Sequence, residues 1–232
     1  MKRTIIVGDV HGCFDEFIEL CEAMKVTFGE DRIILLGDLV HKGPGSAKVV
    51  NFVMEHKIES ILGNHDHFFL KTLKGGQEPY RGFTDILSQL AFNKNTLIEW
   101  FSNLPLFIES EQYLLIHGGL DPDGMAIKTL NREILLNIRY WDLTNNTMLN
   151  TDGHSAVKSG CYPWYECLKY DNFQKKKIFY GHWAKKEVQM HGNGKIIGLD
   201  TGCCYGGKLS AYILEEERIV QVKSKQRKQF DY

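Results

Sequence analysis

Three short segments of this 232-residue chain combine glycine with aspartate, histidine or asparagine directly after an apolar run. They are residues 8–12 (GDVHG), 37–41 (GDLVH) and 63–66 (GNHD). Two more histidines follow apolar runs, in residues 117–119 (HGG) and 181–182 (GH). Any one of these segments could be a polar turn after a buried strand. Five segments of the same composition favour a shared site for chemistry.

The residue types and spacing favour a site for two metal ions. Asp9 and His11 lie two residues apart, so a loop at a strand end can turn both side chains onto one ion. Asp38 supplies a second carboxylate, which could bridge two ions. The remaining oxygen and nitrogen donors would be Asn64, His117 and His182. Oxygen and nitrogen donors without thiolate suit Mn²⁺, Fe or Zn²⁺ and argue against a structural zinc site. Two ions about 3.5–4 Å apart can generate hydroxide and hold a phosphoryl group for in-line attack.

Apolar periodicity predicts strand–loop–helix units that would position these donors. Strand character is seen at residues 4–7, 32–36 and 59–62, with helical spacing at 14–24, at 47–54 and from His67. The polar segments therefore fall in the loops after the strands. Because ligands bind at the carboxyl ends of strands in open α/β sheets, we expect these loops to line one crevice.

The rest of the chain predicts smaller features of a single domain, residues 1–232. The predicted parts are a cap or side lobe at about 75–103, a hairpin at 106–116, a helix at 127–140, a loop-rich insertion at about 142–177, and short strands at 178–180, 195–199, 209–214 and 219–222. The four short strands suggest a second sheet packed against the first.

Composition excludes several classes of protein. The formal net charge is −1, which gives no general electrostatic basis for binding nucleic acid or a membrane surface. No apolar run approaches the roughly 18–20 residues of a membrane span. Six cysteines lie at irregular spacings without a Cys-x-x-Cys pair, which favours reduced thiols and a cytoplasmic location.

The five polar segments resemble the signature blocks of calcineurin-like metallophosphoesterases, in the same order and over nearly the whole chain. Within that superfamily the chain resembles the phosphoprotein-phosphatase type. Residues 42–46 (KGPGS), 137–140 (NIRY) and 198–209 (GLDTGCCYGGKL) are similar to symmetrical diadenosine tetraphosphate hydrolases and their ApaH-like relatives. The last of these blocks is the most specific.

The resemblance implies a fold, a metal centre and a set of roles. The fold would be α/β, a four-layer αββα sandwich of two mixed sheets flanked by helices. Asp9, His11 and Asp38 would hold the first divalent ion, and Asp38, Asn64, His117 and His182 the second. A metal-bridging hydroxide would attack phosphorus, and His65 would protonate the leaving oxygen. Lys42 and Arg139, with Asn64, would bind substrate phosphate.

The chain departs from the protein-phosphatase pattern at two adjacent positions. Where those enzymes carry Asp-Arg, this chain has His41-Lys42. The usual carboxylate partner of the catalytic histidine is therefore absent, and His41 could be a bystander, a replacement or a pH-sensitive modulator, in that order of preference. Lys42 lacks the bidentate fork of arginine, which Arg139 could supply.

The resulting functional prediction is a phosphoesterase that cleaves phosphoanhydrides, with symmetrical diadenosine tetraphosphate as substrate and two ADP as products. Mn²⁺ is the expected metal, with Fe, Zn, Co and Ni as alternatives. The first alternative is a protein Ser/Thr phosphatase acting on a phosphoprotein, and the second is a polyphosphatase or broad-specificity nucleotide phosphatase. A metal-binding scaffold without catalysis is the alternative outside enzymes, and the presence of His65 argues against it.

Overall fold

The computed structural model describes residues 2–76, 82–149, 151, 157, 159–173 and 176–227. Within these residues the chain forms two five-stranded sheets and a smaller three-stranded sheet. No helix among the described residues has the length and apolar character needed to cross a lipid bilayer.

The first sheet is mixed and carries the parallel strands predicted from the N-terminal pattern. Its strands are β1 (Thr4–Val7), β2 (Arg32–Leu35), β3 (Glu59–Ser60), β12 (Lys208–Ile213) and β13 (Arg218–Lys223). The order is β13-β12-β1-β2-β3, in which β1, β2 and β3 are parallel and the other two are antiparallel. The apolar runs in β1 and β2 are almost wholly buried, as expected for parallel strands covered on both faces.

The second sheet is also mixed. Its strands are β4 (Phe107–Glu109), β5 (Tyr113–Ile116), β9 (Lys177–Tyr180), β10 (Gln189–His191) and β11 (Ile196–Gly198). The order is β10-β11-β9-β5-β4, with the three central strands parallel. The predicted hairpin is confirmed as the antiparallel pair β4–β5. The assignment of all four C-terminal strands to this sheet was wrong, because β12 and β13 pair with β1 in the first sheet.

The helices lie on the outer faces of the two sheets. They are α1 (Phe14–Ala23), α2 (Ser46–Glu55), α3 (Asn64–Leu73), α4 (Phe83–Leu87), α5 (Lys94–Asn103), α6 (Met125–Thr129), α7 (Arg132–Asn137) and α8 (Trp164–Cys167). The first five helices pack on the first sheet and the last three on the second. A separate apolar cluster that includes Ile6, Ile34 and Phe179 lies between the sheets. The predicted four-layer αββα fold is thereby confirmed.

Two parts of the second half differ from the prediction. The helix expected at 127–140 is two short helices, because Leu130 adopts a left-handed conformation (φ 51°) and the Asn131 side chain caps α7. The loop-rich insertion contains regular structure in its described residues. A three-stranded sheet is formed by β6 (Tyr140–Asp142), β7 (Thr147–Leu149) and β8 (Cys161–Pro163), followed by α8 and a single 3₁₀ turn at Tyr170–Phe173.

Candidate active site

Five strands from the two sheets lead to polar side chains that lie in one place. Strands β1, β2 and β3 lead to Asp9 and His11, to Asp38, and to Asn64 and His65, while β5 and β9 lead to His117 and His182. All seven side chains are buried. One detail corrects the prediction: Asn64 and His65 form the first turn of α3, which was expected to begin at His67. A helical first turn fixes their backbone more firmly than a loop would.

The Asp9–His11 loop brings its side chains against Asp38. His11 Nε2 lies 3.3 Å from Asp38 Oδ2 and 4.0 Å from Asp9 Oδ2. The other oxygen of Asp38 lies 3.4 Å from His117 Nε2. Asp38 therefore stands between the two groups of donors, the arrangement that a carboxylate bridging two ions requires.

Asn64 is the centre of the second group of donors. Its Oδ1 lies 2.9 Å from His117 Nε2 and 3.0 Å from His182 Nδ1. The remaining ring nitrogens donate to backbone carbonyls, His117 Nδ1 to Leu36 O at 2.7 Å and His182 Nε2 to Asn137 O at 3.1 Å. His11 follows the same rule, since its Nδ1 lies 3.1 Å from Val40 O. Each carbonyl thus fixes a tautomer whose lone pair faces the cluster.

The protonation states and unpartnered acceptor atoms of these residues show whether they could bind metal ions. Burial lowers the pKa of His117 to about 4 and that of His182 well below its usual value, so both rings are neutral near pH 7. Two imidazole lone pairs and the Asn64 carbonyl oxygen therefore converge with no hydrogen between them. Asp9 Oδ1 is also buried without a hydrogen-bond partner among the described residues. Converging acceptors of this kind need a cation, so the donor set fits divalent ions.

Burial raises the pKa of the carboxyl groups, whereas it lowers the pKa of the histidines. Burial, with the negative charges of Asp200 and Asp38, raises the pKa of Asp9 well above its usual range. Burial also raises the pKa of Asp38 to about 7, although Lys42 opposes the shift. Anionic carboxylates are therefore costly here until a cation compensates them. The electrostatics and the donor geometry point to the same ligand class.

The backbone at this site is held in a conformation that L-residues rarely adopt. His11, Asp38, His41, Lys42 and His182 all have positive φ, at 45°, 52°, 76°, 70° and 65° respectively. Such residues persist only where the surroundings enforce the conformation, and they concentrate at functional sites. In this chain the left-handed residues aim side chains from the strand ends into the cluster.

His65 differs from the three histidines whose ring nitrogens donate to carbonyls. Its backbone N–H donates to Asp38 Oδ1 at 2.9 Å, and one of its ring nitrogens lies within 4.8 Å of donor atoms on His11 and Asp38. Its Nδ1 lies 2.9 Å from His41 Nδ1. The neighbouring Asp66 accepts the backbone N–H groups of Leu39 and Gly63, so it ties two loops together.

Two cationic side chains border the cluster. Lys42 is exposed as a residue, but its ammonium group reaches inward and donates to His11 Nε2 at 3.0 Å. It also lies 4.8 Å from the ring centroid of Tyr205. Arg139 follows α7 and contributes, after burial, to the lowered pKa of His182. A cavity of about 280 Å³ adjoins His41 and Lys42 and extends to α4.

Asp200 is a buried member of the site that the sequence reading did not select. It follows β11, is 6% exposed, and its Oδ1 accepts the Gly202 N–H at 3.0 Å. Its charge raises the pKa of Asp9 and of Asp38. The signal was present, since Gly198-Leu199-Asp200 places an aspartate just beyond an apolar strand, as residues 8–9 and 37–38 do.

Known proteins share the sequence and the fold over almost the whole chain. A symmetrical bis(5'-nucleosyl)-tetraphosphatase of Citrobacter koseri is 29% identical, with 93% of this chain and 92% of the relative covered. One of the same description from Nitrosomonas europaea is 26% identical, with 94% and 97% covered. A crystal structure of a candidate diadenosine tetraphosphatase superposes with a TM-score of 0.78 at 28% identity, covering 96% of this chain and 94% of the other.

More distant structures share the fold alone. A protein serine/threonine phosphatase from Saccharomyces cerevisiae superposes with a TM-score of 0.62 at 20% identity, covering 99% of this chain and 82% of the other.

Residues 2–186 match the family model of calcineurin-like phosphoesterases, whose members use a binuclear centre of divalent ions. The chain belongs to the calcineurin-like phosphoesterases and is a metal-dependent hydrolase of phosphate esters or anhydrides.

Proposed function

We propose that this enzyme hydrolyses symmetrical diadenosine tetraphosphate to two molecules of ADP. The observation that carries the proposal is the match to relatives described as symmetrical bis(5'-nucleosyl)-tetraphosphatases, which spans more than nine-tenths of both chains. The site geometry supports it, because the Lys42 ammonium lies 3.0 Å from His11 Nε2, and Lys42 also lines a cavity that could receive part of the substrate.

The donor cluster would hold two divalent ions. Asp9, His11 and Asp38 would bind one, and Asp38, Asn64, His117 and His182 the other. When bound, such ions lower the pKa of a coordinated water and polarise a phosphoryl oxygen. We propose Mn²⁺ as the native metal, because carboxylate, amide and imidazole donors without thiolate suit it. Fe, Zn, Co and Ni are the alternatives that the same donors admit.

The chain's own residues would then orient the substrate and transfer a proton. The Lys42 ammonium and the Arg139 guanidinium would neutralise phosphate oxygens, the latter through its bidentate fork. The Asn64 amide would add a contact to the phosphoryl group. His65, in its imidazolium form, would donate the Nε2 proton to the oxygen that leaves phosphorus as the bond between them breaks, and would be left as a neutral ring. A general acid in this position typically contributes about 10²- to 10⁴-fold to the rate.

A substrate panel with Mn²⁺-loaded enzyme tests the proposal. Diadenosine tetraphosphate, inorganic polyphosphate and a phosphopeptide would be compared by kcat/KM, with products separated by chromatography. We expect ADP as the sole nucleotide product from the dinucleotide. ATP plus AMP would indicate asymmetric cleavage and contradict the proposal. The Asp38→Asn protein, purified in parallel, controls for contaminating phosphatases.

Two competing functions have defined outcomes in the same panel. Phosphopeptide turnover without dinucleotide cleavage would identify a protein phosphatase, for which the yeast structure supports only the fold. Faster release of phosphate from polyphosphate or mononucleotides than ADP from the dinucleotide would identify the broader phosphatase activity. Tight metal binding without turnover of any substrate would leave a non-catalytic scaffold.

A further inference from the structure

Lys185 follows His182 by three residues, and both its backbone and its side chain are held beside the donor cluster. Its backbone N–H donates to the carbonyl oxygen of Asp200 at 3.0 Å. Its ammonium group lies 3.8 Å from the ring centroid of Trp183, within the range of a cation–π contact. Trp183 is 6% exposed, so the ring that carries the lysine is itself fixed. The half-buried Lys185 side chain is therefore held more firmly than that of a freely exposed lysine.

A second cation borders the same aromatic surface. Trp183 meets the ring of Tyr140 edge-on, with the ring centroids 4.8 Å apart, and Tyr140 directly follows Arg139. Burial lowers the pKa of Lys185, and the positive charge of Arg139 lowers it further. The same charge adds to burial in lowering the pKa of His182. Arg139 thus acts electrostatically on the donor cluster and on Lys185, so two cations lie near one another beside the cluster.

The acidic side chains close to Lys185 in the fold have other partners. Glu187 binds the Lys208 ammonium at 2.8 Å, and Asp200 Oδ1 accepts the Gly202 N–H at 3.0 Å. Within the part of the chain that the structure describes, no ion pair joins Lys185 to an acidic side chain. A half-buried cation that feels the charge of another cation is stabilised when an anion binds between them. The position of Lys185 therefore favours a ligand with several negative charges.

We propose that Lys185 acts with Arg139 to bind a phosphate of the substrate beyond the one that is attacked, which makes Lys185 a determinant of specificity for polyphosphates. The inference rests on the phosphate-binding role of Arg139 and on the phosphoanhydride substrate proposed above. A guanidinium binds phosphate through a rigid fork, whereas the lysine ammonium is a point charge on a flexible stem. A phosphomonoester has no second phosphate for Lys185 to bind.

Three variants of the metal-loaded enzyme test this role. Lys185→Met removes the charge and keeps an unbranched side chain that can pack on Trp183, and Lys185→Arg keeps the charge. Lys186→Met is the matched control, because it removes the same charge from the next residue, which is exposed. Melting temperature and metal content report on the fold and the donor cluster. Lys185→Gln replaces Lys185→Met if the methionine variant melts at a lower temperature than the wild type.

The first readout is KM for two substrates. With diadenosine tetraphosphate we expect Lys185→Met to raise KM about 10-fold, because a hydrogen bond to a charged group typically contributes about that factor. The value of kcat should change little, since the contact is made equally before and during the reaction. The rise in KM for p-nitrophenyl phosphate, which carries a single phosphate, should be smaller. Lys185→Arg should recover most of the affinity, and Lys186→Met should match the wild type.

The second readout does not require cleavage of a dinucleotide. Inorganic tripolyphosphate is used as an inhibitor of p-nitrophenyl phosphate hydrolysis at a fixed concentration of free Mn²⁺. We expect Lys185→Met to raise the inhibition constant about 10-fold over the wild type and over Lys186→Met. The proposal is overturned if the two methionine variants have equal inhibition constants, or if Lys185→Met raises KM equally for both substrates. Absence of dinucleotide cleavage by the wild type, with the difference in tripolyphosphate inhibition present, would instead count against the proposed substrate alone.

Discussion

The histidines of this site are oriented in two different ways. His11, His117 and His182 each turn one ring nitrogen to a backbone carbonyl, at 3.1, 2.7 and 3.1 Å. His65 turns its Nδ1 to the His41 side chain instead. A main-chain carbonyl is present whatever the side chain at its position, whereas a side-chain partner can be replaced by mutation. The rings of the three proposed metal-binding histidines are thus oriented by backbone groups, and the ring of the proposed general acid contacts a side chain.

The largest loss of bound metal and of activity is expected from a substitution of Asp38. Asp38 contacts His11 and His117 and accepts the His65 backbone N–H, so Asp38→Asn removes charge from the metal side and disturbs the acid side together. We expect loss of bound metal and turnover at the uncatalysed background. Metal analysis by mass spectrometry and kcat with the dinucleotide would check this. Retention of both ions would remove Asp38 from its bridging position.

A substitution of His65 tests the proposed proton donor separately from the proposed metal ligands. His65→Ala should keep the wild-type metal content and lose about 10²- to 10⁴-fold in kcat, the range for removal of a general acid. Because His65 also lies within 4.8 Å of donor atoms on His11 and Asp38, metal content is the deciding measurement. Loss of one ion in His65→Ala would make it a ligand and erase the contrast with the other three histidines.

A substitution of Gly181 tests a proposed metal ligand separately from His65. A Cβ on Gly181 would overlap Asp9 Oδ1, so Gly181→Ala should displace the Asp9 carboxylate while His41 and His65 stay in contact. We expect about 10- to 100-fold weaker binding of one ion, comparable to the loss of a supporting contact at a metal site. Calorimetric metal titration would show one weakened site and one unchanged. Equal weakening of both sites would mean that the two ions cannot be treated separately.

The smallest effect is a pH dependence of metal binding. Burial raises the pKa of Asp38 to about 7, so below that pH the metal-free protein keeps a proton that the ion must displace. Metal affinity should therefore fall as the pH drops below about 7, by at most about tenfold per pH unit for one displaced proton. Titration calorimetry in buffers of different ionisation enthalpy counts the protons released. A pH-independent affinity across this range would contradict the assignment.

Local pattern predicted much of this molecule. The strand–loop–helix units and the hairpin follow from apolar spacing over a few residues, and the predicted donors do meet in space. Sheet membership did not follow, because pairing of Val7 with Ala211 depends on contacts between distant parts of the chain. Asp200 was missed although it repeats the pattern of an aspartate just beyond an apolar strand. The sequence left three roles open for His41, because its 2.9 Å contact with the His65 ring depends on how the loop after β2 folds against α3.

The break between α6 and α7 shows another limit of periodicity. Apolar spacing continues through residues 127–140, but Leu130 takes a left-handed conformation and Asn131 accepts the Ile134 N–H at 3.3 Å. A side-chain cap competes with helix continuation without altering the apolar period. The small sheet of β6, β7 and β8 was overlooked for a related reason, because strands of three residues are too short to show alternation.

The left-handed backbone at the strand ends has a consequence for how the protein tolerates heat. Each non-glycine residue in that conformation costs about 1–2 kcal/mol, and five of them surround the cluster. Glycine at such a position avoids the clash, although it also gains freedom in the unfolded chain. Ions that bind only the native state stabilise it by an amount that grows with the logarithm of their concentration above the dissociation constant. We therefore expect removal of the ions by a chelator to lower the melting temperature while the secondary structure at room temperature stays unchanged. Thermal shift would then be a direct assay of ion occupancy.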